Sequence, residues 1–379
     1  MMVWLIVLIV HTIIIFIYSF YIYRKNYVYY RKLECINPKT SEKINVHTLY
    51  PEFTCLDSLS FFRIFLSNFF TISIIKLILD ISCALFQIIR LKQHIKKLKN
   101  PSTDIEEWKK MSETISFWTR WALKFHGIKI IKKQLPYEEI YKKYLGEDYS
   151  FEPNEKYSLL ISNHTGFFDI VMYMSLYSTG FLAKDEIRNM PLIGTISRGI
   201  NCLFVKRENE ADRARIFTEL EKRQKDFYEG NILSPLCIFP EGTTTNGKYI
   251  LKFKKGAFYA LLPIKPQLIL VEDNLNYSSA AGVSSTVFNF FRSLAYFYHK
   301  IYLCELPVIK PTDYMWEHYS NLGKEKWEVF AEVTRKIMCE VGKLEPSNKT
   351  FRDNKKFETS LEKGVYTEDS EISIPLLSN

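Results

Sequence analysis

His164 and Asp169 stand five positions apart in the stretch SNHTGFFD, residues 162–169. An imidazole can take up and release a proton near neutral pH. A carboxylate bonded to one ring nitrogen fixes the tautomer and leaves the other nitrogen as a general base. On a continuous helix, at about 100° per residue, positions i and i+5 point roughly 140° apart. The two side chains therefore meet only if the chain turns between them. The apolar run SLLIS (158–162) reads as a strand leading into that turn, and Phe167 to Ser178 reads as a helix leaving it. Asp169 then falls in the first helical turn, where the helix dipole favours an anion. No serine or cysteine stands in a nucleophile motif, so the pair suits deprotonation of a substrate hydroxyl rather than of an enzyme nucleophile. A histidine that only caps a turn would account for the pair if it stood alone.

Two more polar clusters also end apolar runs. LCIF (236–239) leads into Pro240, Glu241, Gly242, Thr243, Thr244, Thr245, Asn246 and Gly247, where glycine and hydroxyl residues let backbone N–H groups approach an anion. CLFV (202–205) leads into Lys206 and Arg207. The planar guanidinium of Arg207 suits bidentate phosphate binding, although a single arginine is more often a solvated surface residue. Lys252, Lys254 and Lys255 could meet phosphates, and a solvated basic face accounts for them as well.

These clusters need a scaffold that ends several strands at one place. Strands are expected at 128–131, 158–162, 202–205, 236–239, 267–270 and 302–309, with helices at 167–178, 208–228 and 324–341. Such alternation predicts an α/β fold, a mostly parallel sheet flanked by helices, with functional side chains at the strand ends.

Ahead of this region the chain changes character. Residues 3–22 carry no charge and, as a helix, would span about 30 Å, the thickness of a bilayer's hydrocarbon core. The basic exit YRKNYVYYRK predicts an uncleaved transmembrane anchor with its downstream side in the cytosol. Residues 64–89 predict a membrane-associated helical segment or, equally, a buried amphipathic helix. In it Ser73, Lys76, Asp80 and Gln87 share one sector, and Lys76 and Asp80 are spaced to pair. The expected organisation is an anchor (1–23), a linker (24–58), a membrane-associated helical region (59–116), a catalytic domain (117–312), a helical extension (313–344) and a disordered polar tail (345–379). The composition is 47% hydrophobic and 15% aromatic, and the formal charge is +9. That balance suits an anionic partner such as a membrane surface or a phosphorylated substrate; no nucleic-acid motif is present. Seven scattered cysteines without a C-x-x-C pair offer no zinc framework and point to a reducing compartment.

His164-x4-Asp169 within NHTGFFD, GINCLFVKRE (199–208), FPEGTTTNG (239–247) and the proline of LLPIKPQLIL (261–270) resemble, in order, the four motifs of the glycerolipid acyltransferase family (PlsC-type). The stretch FPEGTTTNGKYILKFKKGAF looks most like the lysophospholipid acyltransferase branch. The resemblance implies acyl transfer from acyl-CoA, a cosubstrate rather than a cofactor, to a glycerol hydroxyl of a lysophospholipid, with no metal. It makes His164 the base and Asp169 its orienting partner. Arg207, Glu241, Gly242 and Thr243 carry over as acceptor-binding residues. Asn163, Phe204, Pro240 and Pro266 carry over as acyl-CoA-binding or motif-supporting residues. Backbone N–H groups near Gly242 are candidates for the oxyanion donors. Gly166 stands where many relatives have serine, and Lys206 adds a positive charge that could favour a more anionic acceptor. The implied setting is the endoplasmic reticulum membrane, with the catalytic domain cytosolic. Alternatives are an acyltransferase acting on 1-acylglycerol-3-phosphate or glycerol-3-phosphate, and a non-catalytic membrane-associated protein on the same scaffold.

Overall fold

The computed structural model describes residues 10–21, 65–66, 72–97, 105–152, 154–190, 193–205, 210–232, 234–245, 247–271, 294 and 298–353. Its main sheet has seven strands: β1 (Ile128–Lys133), β2 (Leu159–Ser162), β3 (Gly180–Lys184), β4 (Leu203–Val205), β5 (Leu236–Ile238), β7 (Ile264–Leu270) and β8 (His299–Glu305). Their order is β1-β8-β7-β2-β5-β3-β4. Strands β7, β2, β5, β3 and β4 run parallel, β8 is antiparallel to β7, and β1 follows β8. A second ladder joins β6 (Tyr249–Ile250) to β9 (Glu345–Pro346). The expected α/β fold with a mostly parallel sheet flanked by helices is what the chain adopts.

Strand β2 shows why this sheet must be covered on both faces. All four of its residues are buried, the continuous apolar pattern of a doubly covered parallel strand. Leu159 and Ile161 join a core with Tyr141 of α3 (Glu138–Leu145) and with Phe330 and Ile337 of α8 (Lys326–Gly342). Leu160 points the other way, into a core with Met111 and Ile115 of α2 (Ile105–Phe125) and Met172 of α4 (Phe167–Tyr177). One helical layer thus carries α2 and α4, and the other carries α3 and α8.

Helix α1 (Ile72–Lys97) packs on α2 with its polar side inward. Lys76 donates to the carbonyl of His126 at 3.4 Å, Asp80 pairs with the His126 ring, and Gln87 is buried. Asp80 therefore meets His126 in addition to standing one turn from Lys76. Ile74, Ile78, Ile81, Leu85 and Ile89 form the opposite stripe and are about half exposed, beside exposed Phe117 and Trp121 of α2. The segment is amphipathic, as its sequence predicts, but its apolar face points outward.

Among the described residues, no helix is long and apolar enough to cross a membrane. The anchor expected at 3–22 is described only over 10–21, which are helical, and the linker at 24–58 lies outside the described residues. Helix α2 runs unbroken through residues 116 and 117, where the sequence reading set the start of the catalytic domain. The first nine residues of the segment expected to be a disordered tail are ordered. They include β9, whose partner is backbone and needs no apolar side chain.

Strand β3, which the apolar pattern does not reveal, begins at Gly180 for a steric reason. A Cβ there would lie 2.7 Å from the carbonyl oxygens of Ile200 and Asn201. Gly180→Val should therefore cost about 1–3 kcal/mol through forced displacement of backbone. Urea unfolding should show this as a lower midpoint at unchanged slope; a wild-type midpoint would refute the close approach.

Candidate active site

Strands β2 and β5 are adjacent and parallel, with Ile161 opposite Ile238. Three residues past each of these lie His164 and Glu241, so strand register brings the two motifs to the same height at the C-terminal end of the sheet. The backbone N–H of His164 donates to Glu241 Oε1 at 3.2 Å. The carbonyl of His164 accepts from Thr245 N–H at 2.7 Å. The imidazole stacks on Phe239, centroids 3.9 Å apart at 12°. The 239–245 loop thus holds the histidine by its backbone on both sides and by one face of its ring.

The turn between His164 and Asp169 closes as the spacing requires. His164 Nδ1 lies 2.8 Å from Asp169 Oδ2. The same oxygen accepts the N–H groups of Thr165 at 2.6 Å and Gly166 at 2.8 Å, while Thr165 Oγ1 donates to Oδ1 at 3.1 Å. With Oδ2 as acceptor, the ring proton sits on Nδ1 and the lone pair on Nε2. Asp169 is fully buried, whereas the His164 side chain keeps 16% of its surface open to solvent. That asymmetry suits a base backed by an orienting carboxylate.

Glu241 occupies a different place from the one its motif implies. It is completely buried, and its second oxygen accepts Leu251 N–H at 2.9 Å. Burial pushes its carboxyl up to about 8, against the opposing pull of those two N–H donors and of Arg335. A protonated carboxyl still accepts at both oxygens. Glu241 therefore works as a brace between the His164 turn and the strand after the loop. Gly242 N–H already donates to the Phe239 carbonyl at 3.0 Å, so this group is engaged within the loop rather than presented as an oxyanion donor. Gly242 and Thr243 are both partly exposed in the loop.

The remaining sequence candidates separate by position. The amide of Asn163 exchanges two 2.8 Å hydrogen bonds with the backbone of Ile269, stitching the end of β2 to β7. Pro240 is buried and its carbonyl accepts Lys254 N–H at 2.9 Å. Pro266 is buried within β7 opposite Ile161, and its carbonyl accepts Leu306 N–H at 3.1 Å. Phe204 packs under the Arg188 guanidinium, 4.7 Å from its ring centroid. Arg207 and Lys206 lie outside the described residues. Strand β4 ends just before them at Val205, two strands beyond β5, hence about 10 Å across the sheet. Thr165 and Phe239 were not singled out by sequence; the available signals were a hydroxyl next to His164 and an aromatic next to Pro240.

An open histidine backed by a buried aspartate, at the strand ends of a mostly parallel sheet, has the geometry to take up and return a proton. Residues 138–270 match the model of the Acyltransferase family. It is 30% identical over 217 residues to lysophospholipid acyltransferase LPEAT1 of Arabidopsis thaliana, covering 57% of this chain and 52% of that one. It is 30% identical over 155 residues to lysophospholipid acyltransferase LPCAT4 of Xenopus tropicalis, covering 41% and 29%. With human lysophosphatidylcholine acyltransferase 1 it shares 25% identity over 202 residues, covering 53% and 36%. The chain thus spans about half or less of the length of these relatives.

The raised carboxyl of Glu241 gives a pH prediction. Between about 4.5, its unperturbed value, and about 8, the folded state holds a proton that the unfolded chain releases. Its contribution to stability is therefore complete below about 4.5 and is lost as pH rises through 8, at no more than ~1.4 kcal/mol per pH unit. Glu241→Gln removes the titration, although its amide opposes one backbone donor. Urea unfolding across this range should show a flatter pH dependence for the variant; identical slopes would refute a protonated Glu241.

Proposed function

We propose that this protein transfers a fatty acyl group from acyl-CoA to the free glycerol hydroxyl of a lysophospholipid. The observation that carries the reading is the 2.8 Å contact between His164 Nδ1 and buried Asp169, on an imidazole that keeps 16% of its surface open to solvent. The acceptor hydroxyl gives its proton to His164 Nε2 as its oxygen attacks the thioester carbonyl. The tetrahedral intermediate then collapses, the C–S bond breaks, and the imidazolium returns the proton to the departing CoA thiolate. Asp169 keeps the ring in the required tautomer and offsets the transient positive charge. The lysophospholipid acceptor is supported by the names of the relatives above, and acyl-CoA by the motif resemblance.

The outward stripe of α1, with Phe117 and Trp121 of α2, supports a bilayer as the working surface. An apolar helix face that the fold leaves uncovered suits insertion at the headgroup boundary, and the +9 net charge adds attraction to anionic lipid. The motif resemblance supports the endoplasmic reticulum as the membrane, and the basic run after residues 3–22 supports its cytosolic side.

The test is an acceptor-by-donor matrix on purified protein in lipid micelles. Wild type should acylate lysophospholipids, and His164→Ala should lower the rate by about 10²–10⁴-fold while leaving acceptor binding intact. Asp169→Asn should fall in the same direction. Transfer undiminished in His164→Ala, or none to any lysophospholipid in wild type, would overturn the assignment.

A further inference from the structure

Three neighbouring strands bring three rings into near-parallel contact. His164 follows β2, Phe239 follows β5, and Phe181 lies within β3 on the other side of β5. The imidazole of His164 lies over Phe239, centroids 3.9 Å apart and planes 12° from parallel. Phe239 is in turn stacked with Phe181 at 6.1 Å and 6°, and meets Tyr173 of α4 edge-to-face at 6.0 Å. Phe181 and Tyr173 are both buried, so the core sets the plane of Phe239. Phe239 itself is partly exposed, as is the imidazole above it.

Two kinds of contact act on the ring from different directions. Asp169 Oδ2 bonds its edge, at Nδ1, whereas Phe239 covers its face. An aromatic face is the negative part of a quadrupole and attracts a cation placed over it within about 6 Å. A neutral imidazole gains little from that field. An imidazolium gains fully, and 3.9 Å is well inside the range. The contact therefore strengthens as His164 receives a proton. The other titratable groups around this turn act elsewhere: Glu241 binds the His164 backbone N–H rather than the ring, and Tyr173 lies against Phe239. A leucine of similar bulk would fill the place of Phe239 without supplying a π face.

We propose that Phe239 is a positioning residue of the acid–base step: its ring fixes the plane of the imidazole and stabilises His164 while it holds the substrate's proton. The inference rests on the acyl-transfer reading for the reaction, and it gives a role to a residue that the motif resemblance leaves without one. As the acceptor oxygen bonds the thioester carbonyl carbon, its proton passes to His164 Nε2. The imidazolium then persists until the C–S bond breaks and the thiolate takes that proton. Phe239 faces a cation only during this interval, so its contribution goes to the reacting state rather than to substrate binding.

Phe239→Leu, Phe239→Tyr and site-specific mono- and trifluorophenylalanine at position 239, all in the full chain, test this. Fluorine withdraws density from the ring face while scarcely changing its size, so packing is kept and cation attraction is graded. On the alkaline plateau of the pH–rate profile, kcat should fall roughly 5–30-fold in Phe239→Leu, with KM little changed. Phe239→Tyr should retain most of the rate, and the fluorinated rings should lower it in order of fluorine number. Independently of turnover, NMR of histidine-labelled protein, assigned with His164→Ala, should show His164 taking up its proton at lower pH in Phe239→Leu and along the fluorine series. A rate or a proton uptake that ignores fluorine number would overturn the proposal, even with Phe239→Leu inactive, because packing alone would then account for the ring. If wild type acylates no lysophospholipid while proton uptake still follows fluorine number, the proposed function fails and the stabilisation of protonated His164 by Phe239 stands.

Discussion

Parallel strands in register carry equivalent residues to equal heights, and at this site the β2–β5 ladder decides which turns meet. With Ile161 opposite Ile238, the third residue beyond each strand is His164 on one side and Glu241 on the other. A slip by one residue would turn both side-chain sets to the opposite faces and separate the backbone groups that join them. The buried apolar faces of β2 oppose such a slip, since Leu159 and Ile161 belong to one core and Leu160 to the other. Core packing on the two faces of a four-residue strand thereby fixes the geometry of the His164 turn above it.

Two carboxyls in this small volume do opposite work because their surroundings differ. Asp169 gathers three N–H groups on one oxygen, one of them from the imidazole, and is the charge partner of the base. Glu241 is sealed between backbone groups, and burial favours its neutral form at neutral pH. One anion beside His164, rather than two, leaves a single defined partner for the ring proton. The Glu-Gly-Thr motif thus buries Glu241 as a brace and leaves the Gly242–Thr243 corner partly exposed.

The helical pair α1–α2 extends the same logic toward the surface. His126, buried under α1, packs on Phe168 with centroids 4.5 Å apart, and Phe168 adjoins Asp169 in the turn of the site. Its partner Asp80 belongs to the inward polar side of α1, whose apolar side faces out. Helix α1 thus turns Lys76, Asp80 and Gln87 inward and Ile74, Ile78 and Ile81 outward. One packed chain of side chains thus links helix α1 to the turn that holds His164 and Asp169.

Local chemistry was legible in the residues alone. The apolar runs that became β2, β4, β5, β7 and β8, the helices that became α4, α6 (Glu210–Glu229) and α8, and the need for a turn between His164 and Asp169 all follow from short-range periodicity and spacing. Three things depended on the fold. Strand β3 is short, begins with glycine and is set by its neighbours, so no apolar period announces it. The strap at 345–353 is polar and gains its order from backbone pairing with β6 and from Arg335, partners distant in sequence. The place of Glu241 was decided by burial: a motif supplies residue types, whereas only packing determines which carboxyl is sealed from water.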